Sequence, residues 1–308
     1  MLNSINFNTF SIYRRRLYAI ILGASLALCL APLHWIGFAF IAFPGLYLLL
    51  QGQTVREHFY TSAIFAFGFH VVGLYWIAFA MGVEIERFWW LIPFCVMGLP
   101  AILSLFTGGV FAFYGWVTQR FSYASYAFFA VAWVLAEYLR GHMFTGFPWN
   151  LIGYIWMPSL EILQFASFVG TYGLSLLTVL LTGIPMLLAR KTYIKTGITV
   201  LAFMMVWGYG SHRLSKNPTH MLPGVMLRLV QPSIPQDQKW KPDNQGLIYE
   251  RTLALSQQSS ARPITHYIWP EAALTFFAAE NSSVLKELSR LINTPEGAVV
   301  LGIPQRTP

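Results

Sequence analysis

The stretch FYTSAIFAFGFHVVGLYWIAFA, residues 59–80, contains 22 residues and no Asp, Glu, Lys or Arg. A helix of about 20 apolar residues is long enough to cross the hydrocarbon core of a bilayer. The stretch therefore predicts a membrane-spanning helix. We interpret its histidine, His70, as a hydrogen-bonded residue of the helix interior, with a functional polar group as the alternative.

The whole chain shares this apolar character. Of its 308 residues, 56% are hydrophobic and 10% are charged, and the mean hydropathy is +0.54. Soluble domains have roughly 45–50% apolar and about 25% charged residues. This composition excludes a disordered chain, a coiled coil and a secreted disulfide scaffold. Cys29 and Cys95 both lie in apolar stretches, so we expect buried thiols and no bridge.

Apolar runs of similar length predict seven membrane spans. They cover residues 17–31, 35–50, 59–80, 89–117, 123–139, 162–189 and 194–209. The fourth run is interrupted by Pro93 and Pro100. A cleaved signal peptide with residues 17–30 as its apolar region is the alternative for the first span, but no small-x-small cleavage site follows it.

The positions of the basic residues predict the topology. With the N-terminus inside, the inner segments hold Arg14, Arg15, Arg16, Arg56, Arg120, Arg190, Lys191 and Lys195. The outer loops before residue 210 hold only Arg87 and Arg140. This bias predicts a cytoplasmic N-terminus and an external segment after residue 209. Many of the basic residues behind the net charge of +8 lie at the ends of the predicted spans. This placement indicates a membrane partner and no nucleic acid.

From about residue 222 the pattern changes to an α/β alternation. Strands are predicted at 225–230, 267–269 and 298–303, and helices at 244–258, capped by Asp243, and 282–292. The first strand reads as mostly buried, and the last leaves an unpaired edge. The predicted domains are therefore a membrane domain, 1–221, and a small α/β part, 222–308.

Glu271 is the main candidate for chemistry. It follows Trp269 at the carboxyl end of the second predicted strand, where open α/β sheets place their reacting groups. Trp269, Phe276 and Phe277 are expected to desolvate this carboxylate and to suit it to general-base work. An ordinary surface acid at a strand end is the alternative.

Two tryptophans and one charged pair are further candidates. Trp240 lies in a polar loop, where it either lines a lipid pocket or packs the loop. Trp149 lies in the loop TGFPWN, 145–150, and is typical of an interfacial anchor. Glu137 and Arg140 have the i, i+3 spacing of a helical ion pair. With no phosphate-binding glycine loop and no zinc-ligand spacing, we expect no cofactor and no metal.

Several motifs, taken in order, resemble bacterial apolipoprotein N-acyltransferases, which are polytopic membrane enzymes with an external nitrilase-like (carbon–nitrogen hydrolase) domain. The motifs are GLYW at 73–76, TGFPWNLIGY at 145–154, VGTYGLS at 169–175, VQPSIPQ at 230–236 followed by KW at 239–240, and IWPE at 268–271. The resemblance implies that residues 222–308 are the first part of an α-β-β-α sandwich.

The resemblance also implies a reaction in the bacterial inner membrane. Such enzymes move a fatty acyl chain from a phospholipid to the α-amino group of a diacylglyceryl-cysteine lipoprotein, through a thioester on a Cys. A Glu–Lys–Cys triad and no cofactor carry the reaction. Glu271 matches the triad Glu, and Trp240 matches an aromatic residue near the active site. Trp269 and Trp149 are expected to contact substrate.

The chain departs from the family after Glu271. The family's Lys and Cys lie farther downstream, whereas here the only later lysine is Lys286, which is too close in sequence, and no cysteine follows. We therefore expect a C-terminally shortened chain that is inactive alone. The alternatives are one half of a split enzyme with a separate C-terminal fragment, and a non-catalytic protein that binds lipid or lipoprotein. A transporter is disfavoured because the spans are almost free of charge.

Overall fold

The computed structural model describes residues 11–82, 85–122, 125–218, 220–292 and 294–306. The chain divides into two compact units, Met1–Pro218 and Thr219–Pro308. We call them the helical unit and the sheet unit, and each is described by itself.

The helical unit consists of α-helices joined by short turns. In chain order they are α1 Ile12–Ala27, α2 Ala39–Leu50, α3 Val55–Leu74, α4 Ala78–Gly82, α5 Ile85–Phe88, α6 Leu99–Phe121, α7 Tyr126–His142, α8 Leu160–Leu163, α9 Ala166–Leu181, α10 Ile184–Ala189 and α11 Tyr193–Lys216. Turns of 3₁₀ helix lie at Ile36–Phe38, Tyr75–Ile77, Trp89–Leu91 and Ile152–Trp156, and a π-helical turn lies at Phe94–Gly98.

Hydroxyl side chains begin three of these helices. Ser11, Thr54 and Ser125 each accept a hydrogen bond from the backbone N–H three residues later. Such N-caps satisfy donors that have no partner within the helix. The chain can therefore start α1, α3 and α7 at defined residues.

Three helical stretches among the described residues are long and apolar enough to cross a membrane: Val55–Gly82, Ile85–Phe121 and Ala166–Ala189. They coincide with the third, fourth and sixth predicted spans. The other predicted spans fall on helices that are shorter or more polar, so the number seven stays a prediction. Tyr123, predicted to begin the fifth span, lies outside the described residues.

Neither proline of the fourth span ends its helical path. Pro93 precedes the π-helical turn, and Pro100 lies in the first turn of α6, where a missing N–H costs no helical hydrogen bond. The sixth span is bent instead at Gly170, whose φ of 64° and ψ of −175° are not helical.

Aromatic side chains fill the core of the helical unit. Trp133 meets the rings of Phe43 and Phe65 edge-on, with centroids 4.9 Å and 5.8 Å apart. Edge-to-face packing of this kind is favoured by the ring quadrupoles. Gly23 and Gly68 let α1 and α3 approach closely, because a Cβ on Gly23 would lie 1.8 Å from the carbonyl oxygen of Phe65.

The sheet unit has three parallel strands: β1 Leu227–Leu229, β2 His266–Ile268 and β3 Ala298–Val300, in the order β1-β2-β3. Its helices are α12 Gln236–Lys239, α13 Gln245–Ser256 and α14 Ser282–Ser289, with 3₁₀ turns at Pro242–Asn244 and Ala278–Glu280. The predicted α/β alternation is confirmed. The fold class is a polytopic helical domain followed by a partial α/β domain.

The predicted cap of the helix at 244–258, which corresponds to α13, is wrong. Asp243 lies inside the 3₁₀ turn, and Asn244 occupies the position before α13, where its side chain donates to the carbonyl of Gln238 instead. By contrast, α14 has a side-chain cap, since Asn281 accepts hydrogen bonds from the backbone of Ser283 and Val284.

The two faces of the sheet differ. Tyr267 and Trp269 pack with α13 and α14 side chains such as Leu253 and Leu288 in one apolar core. On the opposite face Leu227, Leu229 and Val300 are exposed by 54%, 75% and 53%. The prediction of a mostly buried first strand is therefore wrong, because the described part of the chain covers only one face. As predicted, β3 lies at an edge of the sheet, and so does β1.

Candidate functional site

The segment 269–273, which we call the Glu271 segment, continues from β2 toward the end of β3. The backbone N–H of Trp269 donates to the carbonyl of Val300 at 2.9 Å, and that of Ala273 donates to the carbonyl of Gly302 at 3.0 Å. These bonds hold the backbone of Glu271 beyond the carboxyl ends of two parallel strands. Open α/β sheets bind ligands at that edge.

The fit between Gly302 and the Glu271 segment is tight. A Cβ on Gly302 would lie 2.9 Å from the backbone nitrogen of Ala272 and 3.4 Å from the Cα of Glu271. Ala272 itself has a φ of 46°, which non-glycine residues seldom adopt. Strained backbone of this kind is concentrated at functional sites.

We expect Gly302→Ala to displace the Glu271 segment and to lower its local stability by about 1–3 kcal/mol, as overpacking does. The amide of Ala273, which donates to the carbonyl of Gly302, would then exchange its hydrogen about tenfold faster or more. Gly246→Ala is the control, because a Cβ there meets no atom within 4 Å. Unchanged exchange in Gly302→Ala would show that the segment tolerates the added methyl group.

Lys239 links the loop of Trp240 to the Glu271 segment. Its Nζ donates to the backbone carbonyl of Glu271 at 3.1 Å and lies 6.0 Å from the centroid of the Trp240 ring. The structure therefore brings two predicted site regions together through a residue to which the sequence analysis gave no role. The only sequence signal for Lys239 is its place beside Trp240.

The Glu271 side chain is exposed, so the predicted desolvation by neighbouring aromatic rings is wrong for the described chain. The reason is the placement of those rings. Trp269 is only 4% exposed and points into the core, and Phe277 lies 4.9 Å from the guanidinium carbon of Arg306. The carboxylate is thus accessible to any proton donor that docks against this edge.

Trp269 and Trp240 have different surroundings. The indole N–H of Trp269 donates to the hydroxyl of Ser256 at 2.9 Å, so both its ring and its polar atom are used by the core. Trp240 is 55% exposed. Substrate contact stays a prediction for both residues, and the exposed ring of Trp240 suits it better.

Tyr249 and Glu287 connect the two helices behind the sheet. The Tyr249 hydroxyl donates to Glu287 Oε2 at 2.6 Å. Burial, this hydrogen bond and the negative charge of Glu287 raise the pKa of Tyr249 above its ordinary value. The tyrosine therefore stays protonated, and the bond fixes α13 against α14, which together support β2.

In the helical unit, Arg140 organises the loop that carries Trp149. Arg140 is only 4% exposed, and its Nη1 donates to the carbonyls of Phe147 at 2.7 Å and of Trp149 at 2.6 Å. The backbone N–H of Phe147 returns a bond to the carbonyl of Arg140. The loop is pinned at its backbone, whereas the side chain of Trp149 is 50% exposed.

Separate sequence motifs meet around this loop. Glu137 Oε1 accepts hydrogen bonds from the backbone of Ile152 at 2.8 Å and from the indole of Trp133 at 3.0 Å. The Asn150 side chain donates to the carbonyl of Gly73 at 3.0 Å. The predicted partners Glu137 and Arg140 are both buried, and each makes its hydrogen bonds to other groups.

Both cysteines lie in the helical unit. Cys29 is buried, as predicted, and its Sγ lies 3.3 Å from the carbonyl oxygen of Trp35. Cys95 lies in the π-helical turn and is a free thiol like Cys29, but it is only partly buried, so the prediction of a buried thiol is wrong for Cys95. Among the residues that the structure describes, no three His, Cys, Asp or Glu side chains are grouped as metal ligands.

Comparison with known proteins gives consistent matches. Residues 22–184 match the family described as Apolipoprotein N-acyltransferase N-terminal domain. A protein of Rhodopseudomonas palustris named apolipoprotein N-acyltransferase is 33% identical over 316 residues, covering 96% of this chain and 58% of the relative. Relatives of the same name from Bradyrhizobium diazoefficiens and Rickettsia typhi are 35% and 31% identical, over 96% and 94% of this chain. This chain spans about 58% of the length of these relatives.

Proposed function

The chain belongs to the apolipoprotein N-acyltransferase family, and from this premise we propose that it supplies the membrane domain and the first part of the catalytic domain of such an enzyme. Residues 1–221 form the membrane domain and residues 222–308 the first part of a nitrilase-like domain. The acyl donor is a phospholipid, and the acceptor is the α-amino group of a diacylglyceryl-cysteine lipoprotein.

We also propose that the protein lies in the bacterial inner membrane with its N-terminus in the cytoplasm. Seven spans then carry residues 222–308 to the periplasmic face. The excess of basic residues in the inner segments supports this topology. In this arrangement Glu271 is on the side from which mature lipoproteins are acylated.

Glu271 is proposed as the general base. It accepts the proton of a Cys thiol, whose sulfur attacks the acyl ester of the phospholipid and releases a lysophospholipid. The amine of the acceptor then attacks the thioester and restores the thiol. The main support is the Glu271 segment, which hydrogen bonds hold at the carboxyl ends of β2 and β3, with the carboxylate exposed.

Trp240 and Trp149 are proposed to contact the lipid substrates. Each tryptophan is at least half exposed. Arg140 donates to the backbone carbonyl of Trp149, and Lys239, the neighbour of Trp240, donates to the carbonyl of Glu271. Aromatic side chains with this exposure are typical of membrane interfaces. We assign Trp269 to the support of β2, since its ring and indole nitrogen are occupied by the core.

The nucleophile is proposed to come from outside these 308 residues. Their two cysteines are Cys29 and Cys95, both in the helical unit, and their one lysine after Glu271 is Lys286. These 308 residues alone are therefore proposed to be inactive, and a C-terminal fragment, joined or separate, is proposed to complete the triad.

Complementation tests this proposal. In bacteria depleted of their own apolipoprotein N-acyltransferase, the 308-residue chain alone is expected to restore no N-acylation. A chimaera that joins residues 1–308 to the unmatched part of the Rhodopseudomonas palustris relative is expected to restore it. Mass spectrometry of a lipoprotein N-terminus measures the added acyl chain.

Other outcomes contradict parts of the proposal. N-acylation by the 308-residue chain alone would refute the assignment of the nucleophile. An inactive chimaera that is folded and inserted in the membrane would favour a protein that binds lipid or lipoprotein without catalysis. Rescue by the two parts expressed as separate chains would support the split-enzyme version.

A further inference from the structure

A cavity of about 550 Å³ opens in the helical unit between α7, α9, α10 and α11. Ligand pockets have volumes of about 300–1,000 Å³. The cavity lies away from the Arg140 loop and shares no lining residue with it. The function proposed above leaves it without a role.

The lining of this cavity has an amphiphilic arrangement. On α10 and its C-cap the cavity is lined by Met186, Leu187 and Arg190, and on α11 by Lys195, Ile198 and Ala202. Because α10 ends and α11 begins at the same turn, the two cations lie at one end of the cavity. The apolar side chains follow them along both helices at helical spacing.

The hydroxyl groups of the lining already have partners within the chain: Ser125 accepts from the backbone of Phe128, and Thr199 donates to the carbonyl of Lys195. The hydroxyl of Tyr126 lies 2.9 Å from that of Thr182, so its ring is the part available to the cavity. Leu177 and Leu180 of α9 continue the apolar wall. Among the described lining residues there is no carboxylate, so nothing in this lining neutralises Arg190 and Lys195.

We propose that this cavity binds one anionic phospholipid, with its phosphate on Arg190 and Lys195 and an acyl chain between α10 and α11. Basic pockets between membrane helices are suited to lipid phosphate groups. A phosphate ion would leave the apolar lining unused, and an uncharged amphiphile would leave the cations without a partner. This inference does not rest on the proposed acyltransferase function.

Native mass spectrometry of the full 308-residue chain in detergent micelles, titrated with phosphatidylglycerol, tests the proposal. The double variant Arg190→Gln/Lys195→Gln is expected to weaken the binding of one phosphatidylglycerol about 30-fold. Lys191→Gln is the matched control and should change binding less than twofold, because Lys191 is a neighbouring exposed cation that does not line the cavity.

A second pair of variants tests the apolar part. Ala202→Phe fills the space between α10 and α11 and is expected to abolish retention of phosphatidylglycerol. Gly197→Phe adds a comparable bulk on α11 at a position that does not line the cavity and where an added Cβ meets no atom within 4 Å, so it should leave retention unchanged. The thermal unfolding of each lipid-free variant shows whether its helices still fold.

Several results would overturn the inference. Equal retention by the wild type and the Arg190/Lys195 double variant would exclude a phosphate site at these cations. An equal loss in Lys191→Gln would indicate diffuse attraction to basic charge. Binding of phosphatidylcholine or inorganic phosphate as tight as that of phosphatidylglycerol would show that no site for an anionic phospholipid exists.

Discussion

Glu271→Gln is expected to lower acyl transfer by the chimaera about 10²–10⁴-fold, the usual contribution of a general base. The amide keeps the size of the side chain but cannot accept the thiol proton. Since Glu271 is exposed, the substitution should leave folding unchanged. The measurement is the initial rate of N-acylation of a diacylglyceryl lipopeptide in membranes that contain equal amounts of each variant.

Glu280→Gln is the matched control for this experiment. Glu280 is also an exposed carboxylate of the sheet unit, and it pairs with Arg306 at 3.2 Å. An exposed pair contributes about 0–1 kcal/mol, so the control should retain nearly all activity. If Glu271→Gln acylates at the control rate, the assignment of Glu271 as the base is incorrect.

Glu137→Ala is expected to destabilise the helical unit by about 3–5 kcal/mol. The change removes the acceptor for the buried N–H groups of Ile152 and Trp133, and it leaves the buried charge of Arg140 without a nearby carboxylate. Thermal unfolding in detergent micelles, monitored by loss of the monodisperse species, should show the change as a lower melting temperature.

Two comparisons separate this effect from a general loss of charge. Glu137→Gln keeps a carbonyl oxygen for the same donors and should cost clearly less than the alanine variant. Glu86→Ala changes an exposed carboxylate of α5, for which about 0.5 kcal/mol or less is expected. Equal melting temperatures for Glu137→Ala and the wild type would show that the hydrogen bonds of Glu137 do not stabilise the unit.

Local patterns were sufficient to predict one membrane-length helical stretch and the order of strands and longer helices after residue 222. The apolar period of residues 59–80 and the alternation after residue 222 depend on neighbours a few positions away, and both correspond to the elements in the structure. The ends were harder to place. Asp243 and Asn244 are both residue types that often cap helices, but α13 begins after Asn244, whose side chain makes no cap hydrogen bond and donates to the carbonyl of Gln238.

The surroundings of the candidate site depend on distant segments. The contact of Lys239 with Glu271 joins residues 32 positions apart, and the partner that turns Trp269 into the core is Ser256 of α13. No spacing within the IWPE motif carries this information. Glu271 therefore stays a predicted site residue, and the prediction of its apolar environment is wrong.

In the helical unit too, a contact between distant motifs was not predictable from either motif alone. Gly73 and Asn150 belong to separate stretches of the sequence, and the pattern of the second stretch is typical of an interfacial anchor. Their hydrogen bond crosses 77 positions. The conformation of Asn150, with a φ of 55°, is one that Asn adopts more readily than most residues. The residue type predicts this backbone preference, but it does not predict that the side chain of Asn150 donates to the carbonyl of Gly73.

The side of the sheet that bears Leu227, Leu229 and Val300 is an exposed apolar surface in the described part of the chain. Two copies of the chain that associate through this face would bury apolar surface. The unpaired edges of β1 and β3 could also form hydrogen bonds with the strands of other copies. A high local concentration of the chain at a membrane surface would favour this self-association, and dilution would reverse it. A layer of protein that covers this face would therefore also protect the sheet unit from self-association.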